Sequence, residues 1–144
     1  MHAKKSSQEI NIFLIDDVEI NNFITARLLN RIIVNPQLTV FTNGLQALEK
    51  LKLMRDAQEK FPDFIFLDIH MPIMNGWDFL QELENLNIDS KETVEIHILS
   101  SSVCKDEVKR ANRFPSVKSF IRKPTSLLDL RSIFQDINSV EDIY

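Results

Sequence analysis

Cysteine is almost missing from this chain: its 144 residues hold one, Cys104. No internal disulfide is possible, which suits a reducing cytosol, and Cys104 itself reads as a semi-buried structural thiol. Two glycines and five prolines are too few for a low-complexity or collagen-like chain, and no internal repeat is visible. No apolar run approaches the ~18–20 residues of a membrane span. The opening MHAKKSSQEI carries basic residues but lacks the apolar segment of a secretory signal. An excess of positive charge is also lacking: 17 Lys and Arg stand against 21 Asp and Glu, for a net charge of −4. That balance weighs against nucleic acid as a partner, since phosphate binding needs a basic face. The expectation is a cytoplasmic protein with no membrane or nucleic-acid partner.

What is present is an ordinary globular composition, 44% hydrophobic and 26% charged, in a length that fits one domain over residues 1–144 with a core from about 9 to 138. Short apolar runs alternate with longer amphipathic stretches. Ile12–Ile15 is too short for a helix and lacks alternation, so it predicts a strand buried on both faces. Leu38–Phe41, Phe64–Leu67, Val94–Leu99 and Val117–Ile121 give four more strands. Between them the spacing turns helical. Ile20, Phe23, Ile24 and Leu28 share one face, as do Ala47, Leu48, Leu51 and Met54. Trp77, Leu80, Leu83 and Leu86 form a third set, and Val108 with Ala111 a short fourth. Leu127, Leu130, Phe134 and Ile137 mark a last helix, for which Ser126 and Asp129 form a capping pair. Asn43-Gly44 and Asn75-Gly76 read as turns, and the charged KDEVKR at 105–110 as a solvated face. Five βα units predict an α/β fold: a doubly wound, five-stranded parallel sheet of flavodoxin-like type, strand order 2-1-3-4-5.

Two of the most apolar runs end in acids. FLIDD (13–17) supplies Asp16 and Asp17, and FIFLD (64–68) supplies Asp68. In an open parallel sheet the ligand site lies beyond the carboxyl ends of the strands, where strand order reverses; here that is between strands 1 and 3. The three acids therefore converge. Like charges a few ångströms apart resist ionising together unless a cation compensates them, and a hard divalent ion with oxygen ligands is the natural partner. The cluster predicts a Mg²⁺ site that leaves positions open for phosphate. Ser100 ends strand 4 and Lys123 follows strand 5 on the same sheet edge, placed to contact the oxygens of a phosphoryl group in transfer. Asp68, standing alone, is the nucleophile; Asp16 and Asp17 hold metal.

With FLIDD, FIFLDIHMPIMNGWDFL (64–80), ILSSS (98–102) and SFIRKP (119–124), the chain resembles the receiver domains of response regulators, CheY-like in fold, over nearly its whole length. The resemblance implies that Asp68 takes a phosphoryl group from the phosphohistidine of a sensor histidine kinase or histidine phosphotransfer protein. It further implies that the His70 backbone carbonyl joins Asp16, Asp17 and Asp68 on the metal, that Ser100 and Phe120 form the switch, and that the Lys123–Pro124 bond is cis. Aspartyl phosphate adds roughly −2 charge. Ser100 then moves toward it, Phe120 swings inward, and the surface of the fourth helix, fifth strand and fifth helix is remodelled for a downstream protein target. The family often has Asn where this chain has His70; His70 and Ser102 are expected to tune the lifetime of the phosphate. Ser stands at 100 instead of Thr, and Phe at 120 instead of Tyr. Such a protein promotes its own phosphorylation and dephosphorylation and is not a turnover enzyme. It would act as a stand-alone regulator or as a receiver cut from a larger protein.

Three rival readings share parts of this pattern. A haloacid-dehalogenase-like phosphatase needs a second acid two residues beyond its nucleophile, where this chain has Val18 after Asp16 and His70 after Asp68. An FMN carrier needs a hydroxyl- and glycine-rich phosphate loop, where DDVEIN would repel phosphate. A receiver-like module that binds partners without phosphorylation would be marked by loss of an acid or of Lys123, and none is lost. His97, inside a strand, reads as a satisfied core histidine, and Met71 and Trp77 as packing.

Overall fold

The computed structural model describes residues 9–86 and 94–135. Ile137, expected on the last helix, lies outside them. Five strands and five helices alternate: β1 (Asn11–Ile15), α1 (Glu19–Ile32), β2 (Gln37–Phe41), α2 (Gly44–Asp56), β3 (Phe64–Asp68), α3 (Gly76–Asn85), β4 (Glu95–Ser100), α4 (Lys105–Ala111), β5 (Val117–Arg122) and α5 (Leu127–Phe134). All strand pairs are parallel and their order is β2-β1-β3-β4-β5.

The continuous apolar strands follow from this layering. Successive side chains point to opposite faces, and both faces are covered. Ile12 and Leu14 join Phe66, Leu29 and Ile32 of α1, and Leu130 and Phe134 of α5 in one cluster. Phe13 and Ile15 join Ile65 and Leu67, Leu48 and Leu51 of α2, and Trp77, Phe79, Leu80 and Leu83 of α3 in the other. Met71 packs there too.

The first helix departs from expectation. Ile20, Phe23 and Ile24 are 56%, 55% and 41% exposed, while Asn22 and Thr25 are buried beside Leu29 and Ile32. The cause is Asn22, whose side-chain amide donates to the backbone carbonyls of Asp16 (2.9 Å) and Phe41 (3.4 Å). A buried amide with partners fixes the helix phase and turns the apolar stripe outward.

Asn43 and Asn75, read as turn residues, are helix N-caps: their side chains accept from the backbone N–H of Gln46 (2.8 Å) and Asp78 (2.9 Å). Ser126 caps α5 in the same way, accepting from Asp129 N–H. Cys104 is exposed at the N-cap of α4, not semi-buried, because the short α4 buries only Ala111. Its KDEVKR segment is not simply solvated. Arg110 lies 4.5 Å over the Trp77 ring, and Glu107 turns inward, its side chain 19% exposed. His97 is buried with both ring nitrogens engaged, by Ser119 and Glu95, and burial lowers its pKa.

Candidate functional site

The carboxyl ends of β1 and β3 bring Asp16, Asp17 and Asp68 together, with one carboxylate oxygen from each within 4.8 Å of the others. Asp16 is a deeply held member. Its Oδ1 accepts from the backbone N–H of Val18 at 2.9 Å and its Oδ2 from Lys123 Nζ at 2.6 Å. Lys123 is set in place from β4, its backbone N–H donating to the carbonyl of Ser100 at 2.8 Å. The same ammonium lies 3.3 Å from Asp68 Oδ1, so one half-buried cation spans two of the three acids. The Lys123–Pro124 bond is cis.

Asp68 is held where an ionised carboxylate is costly. Burial first, and then the neighbouring charge of Asp16, raise its pKa from 3.8 to about 6. The Lys123 ammonium and a hydrogen bond from the His70 backbone N–H work in the opposite direction. The loop beyond Asp68 is pinned by Gly76, whose N–H donates to the Ile69 carbonyl at 2.8 Å. A Cβ at position 76 would lie 2.7 Å from Ile69 Cα and 2.8 Å from the Asp68 carbonyl oxygen. Only glycine lets α3 dock this closely on the strand end that carries Asp68.

These groups open into a cleft of about 410 Å³ lined by Asp17, Val18, Asn21, Asp68, His70, Ser101, Lys123 and Pro124. Asp17, Asp68, His70 and Lys123 thus line one cavity. Ser100 does not line it. Its hydroxyl is fully buried, donating to the Ser102 carbonyl (2.9 Å) and accepting from the Ser102 N–H (3.2 Å). Ser102, expected to tune the lifetime of the phosphate, is exposed outside the cleft lining, and Ser101 stands there instead. A run of three serines gives no signal for which side chain turns inward. Phe120 is partly buried against the larger cluster, on the strand that pairs with β4. Glu107 was missed altogether: its Oε2 lies 3.3 Å from His70 Nε2 at the cleft.

The donor set is all oxygen, carboxylate, and gathered at one cleft wall, which fits a hard divalent cation such as Mg²⁺. Burial and then the Asp16 charge raise the Asp68 pKa, and the charge of the gathered acids is what such an ion would compensate.

The family model described as response regulator receiver domain matches residues 12–135. A two-component response regulator structure from Cytophaga hutchinsonii superposes with a TM-score of 0.79 at 26% identity, covering 89% of this chain and 96% of that one. Among curated proteins, the probable methanogenesis regulatory protein FilR2 of Methanothrix harundinacea is 23% identical over 88% of this chain and 79% of its own length. Hybrid signal transduction histidine kinase E of Dictyostelium discoideum is 30% identical over 84% of this chain. The match spans only 7% of that kinase.

Proposed function

Because the chain belongs to the response regulator receiver domain family of two-component signalling, we propose that Asp68 is its phosphoryl acceptor, with Mg²⁺ held by Asp16, Asp17, Asp68 and the His70 carbonyl. The observation that carries this is the Lys123 ammonium spanning Asp16 and Asp68 at the wall of an acid-lined cleft. An Asp68 oxygen attacks the phosphorus of a phosphohistidine; the P–N bond breaks and its electron pair stays on the departing imidazole. Lys123 keeps its bond to Asp16 and turns its charge from the Asp68 carboxylate to the phosphoryl oxygens. Mg²⁺, when bound, supplies further positive charge to those oxygens. Ser100 leaves its Ser102 carbonyl to donate to the phosphoryl group, and Phe120 moves into the space behind it. The α4, β5 and α5 surface then presents a new face to a downstream protein in the cytoplasm. The unit is one domain over residues 1–144, acting as a signalling module without external turnover.

Intact mass is the direct test. Native protein incubated with Mg²⁺ and acetyl phosphate is expected to gain one phosphoryl group, on the peptide containing Asp68, and to gain none in EDTA. Lack of any gain would return the chain to the rival reading, a receiver-like module that binds partners without phosphorylation.

The outward apolar stripe of α1 gives the phosphodonor its seat. Val18 and Asn21 edge the cleft, Ile24 lies beside Asn21 and Pro124, and the exposed Ile20 and Phe23 continue this apolar face for a protein delivering a histidine phosphate. Arg27 lies 5.7 Å over the Phe23 ring. Phe23→Glu is expected to slow transfer from a phosphorylated histidine protein by about tenfold or more, as loss of an aromatic anchor does. Uptake from acetyl phosphate, which needs no docking face, should stay within about twofold of native. Equal loss with both donors would remove α1 from that role.

A further inference from the structure

In a regular strand, residues three apart point to opposite faces of the sheet. Val117 and Phe120 of β5 do not: both pack on the cluster covered by α2 and α3. The pairing with β4 gives the reason. Ile96 stands opposite Val117, but the next residue, His97, stands opposite Ser119. Lys118 is an extra, exposed residue, a one-residue β-bulge. Its ammonium donates to the Pro115 carbonyl at 3.3 Å. Beyond the bulge Ile98 stands opposite Phe120, and Ser100 opposite Arg122. With the extra residue placed further along, Lys118 would stand opposite His97, and Phe120 opposite Leu99 on the face covered by α1 and α5. Backbone hydrogen bonds serve either register, so side chains decide. His97 is placed to do so. It is buried and stacked on Phe64 and Phe66. Its Nε2 meets Glu95 Oε2 at 2.9 Å, and its Nδ1 meets the Ser119 hydroxyl. A carboxylate only accepts, so Nε2 carries the ring hydrogen and Nδ1 accepts from Ser119. Burial lowers the His97 pKa, which keeps the ring in this neutral, directional form.

Resting on the reading of Phe120 as the switch residue, we propose that Glu95, His97 and Ser119 are its positioning residues: they fasten the extra residue of β5 at Lys118 and so aim Phe120 at the α4 side of the sheet. Glu95 fixes the His97 tautomer, His97 selects Ser119, and Ser119 sets the phase of the residues after it. The other register offers Nδ1 only the Lys118 chain, whose ammonium would enter an apolar layer at a cost.

The test follows the Phe120 ring in the full chain by NMR. Native protein should give one set of ring signals, with nuclear Overhauser contacts to the Ile98 methyl groups. Ser119→Ala and His97→Leu should each add a second set, of roughly one tenth of the intensity or more, with contacts to Leu99. Ser119→Thr, which keeps the hydroxyl, should keep the single native set. Acetyl phosphate and Mg²⁺ are then added. Phosphoryl uptake, read by intact mass, should stay within about twofold of native in all three variants, since the acid cleft is untouched. The shift of the Phe120 ring on phosphorylation should appear in the first set and be absent from the second. A network that only adds stability would lower the melting temperature and leave one set of Phe120 signals. That result in Ser119→Ala overturns the proposal, as does a second set in Ser119→Thr. If His97→Leu does not fold, Ser119→Ala decides. Native protein that takes up a phosphoryl group without moving Phe120 overturns the switch reading, and this role with it, while leaving Asp68 as acceptor. Native protein that takes up none overturns the acceptor reading, and the signal sets recorded before acetyl phosphate still judge the register.

Discussion

Asp68→Asn is expected to lose phosphoryl uptake completely and, at the same time, to make the protein more stable above pH 6. The first effect follows from removing the nucleophile. The second follows from its environment. In the folded chain the Asp68 pKa is about 6, against 3.8 for the ordinary carboxyl, so the native state holds that proton more tightly than the unfolded state does. The resulting stabilisation is full below about pH 4 and is lost as pH rises through about 6. At pH 7.5 the native fold therefore carries an ionised acid in a place that disfavours it, and Asn does not. The difference is on the order of 2 kcal/mol after allowance for the open cleft, or roughly 4–8 °C in melting temperature. Melting curves in EDTA at pH 7.5 and pH 4 measure it: the variant should lead at the higher pH and the gap should close at the lower. Added Mg²⁺ should narrow the gap at pH 7.5 by stabilising native protein alone. A variant no more stable than native at pH 7.5 without metal would show that Asp68 is not strained by its burial.

The largest structural effect is expected at Gly76. An alanine there places its Cβ 2.6 Å from Ile69 Cδ1, 2.7 Å from Ile69 Cα and 2.8 Å from the Asp68 carbonyl oxygen. The Ile69 side chain can turn away, but the two backbone atoms cannot without moving the end of β3. The expected loss is about 3 kcal/mol, and the surviving folded protein should take up phosphoryl groups more slowly because Asp68 is displaced. Gly44 is the control. Its added Cβ would meet the Met74 carbonyl oxygen at 3.2 Å and the flexible Met74 side chain at 3.3 Å, which should cost about 1 kcal/mol or less. Urea denaturation of both variants makes the comparison; a Gly76→Ala protein as stable as Gly44→Ala would refute the close-approach requirement.

The central strands β1 and β3 were legible because a parallel sheet covered on both faces leaves its mark there as unbroken apolar runs. The strand order then placed three acids and a lysine at one edge, since topology, not local chemistry, decides where strand ends meet. The first helix misled because periodicity assigns apolar residues to the core. Asn22 took the inward position instead by satisfying two backbone carbonyls, a long-range partnership that no helical window contains. Asn43 and Asn75 misled for a related reason, since asparagine before glycine suits a turn and a helix cap alike. Which serine of Ser100, Ser101 and Ser102 enters the cleft, and that Glu107 leaves the charged face of its helix to meet His70, depend on side-chain directions set by packing.

The short fourth helix has one core residue and is otherwise pinned by side chains. A helix held in this way answers to exchange of side-chain contacts more readily than to repacking of the core, so a change of charge or ring beside it would alter its placement while leaving the sheet beneath intact.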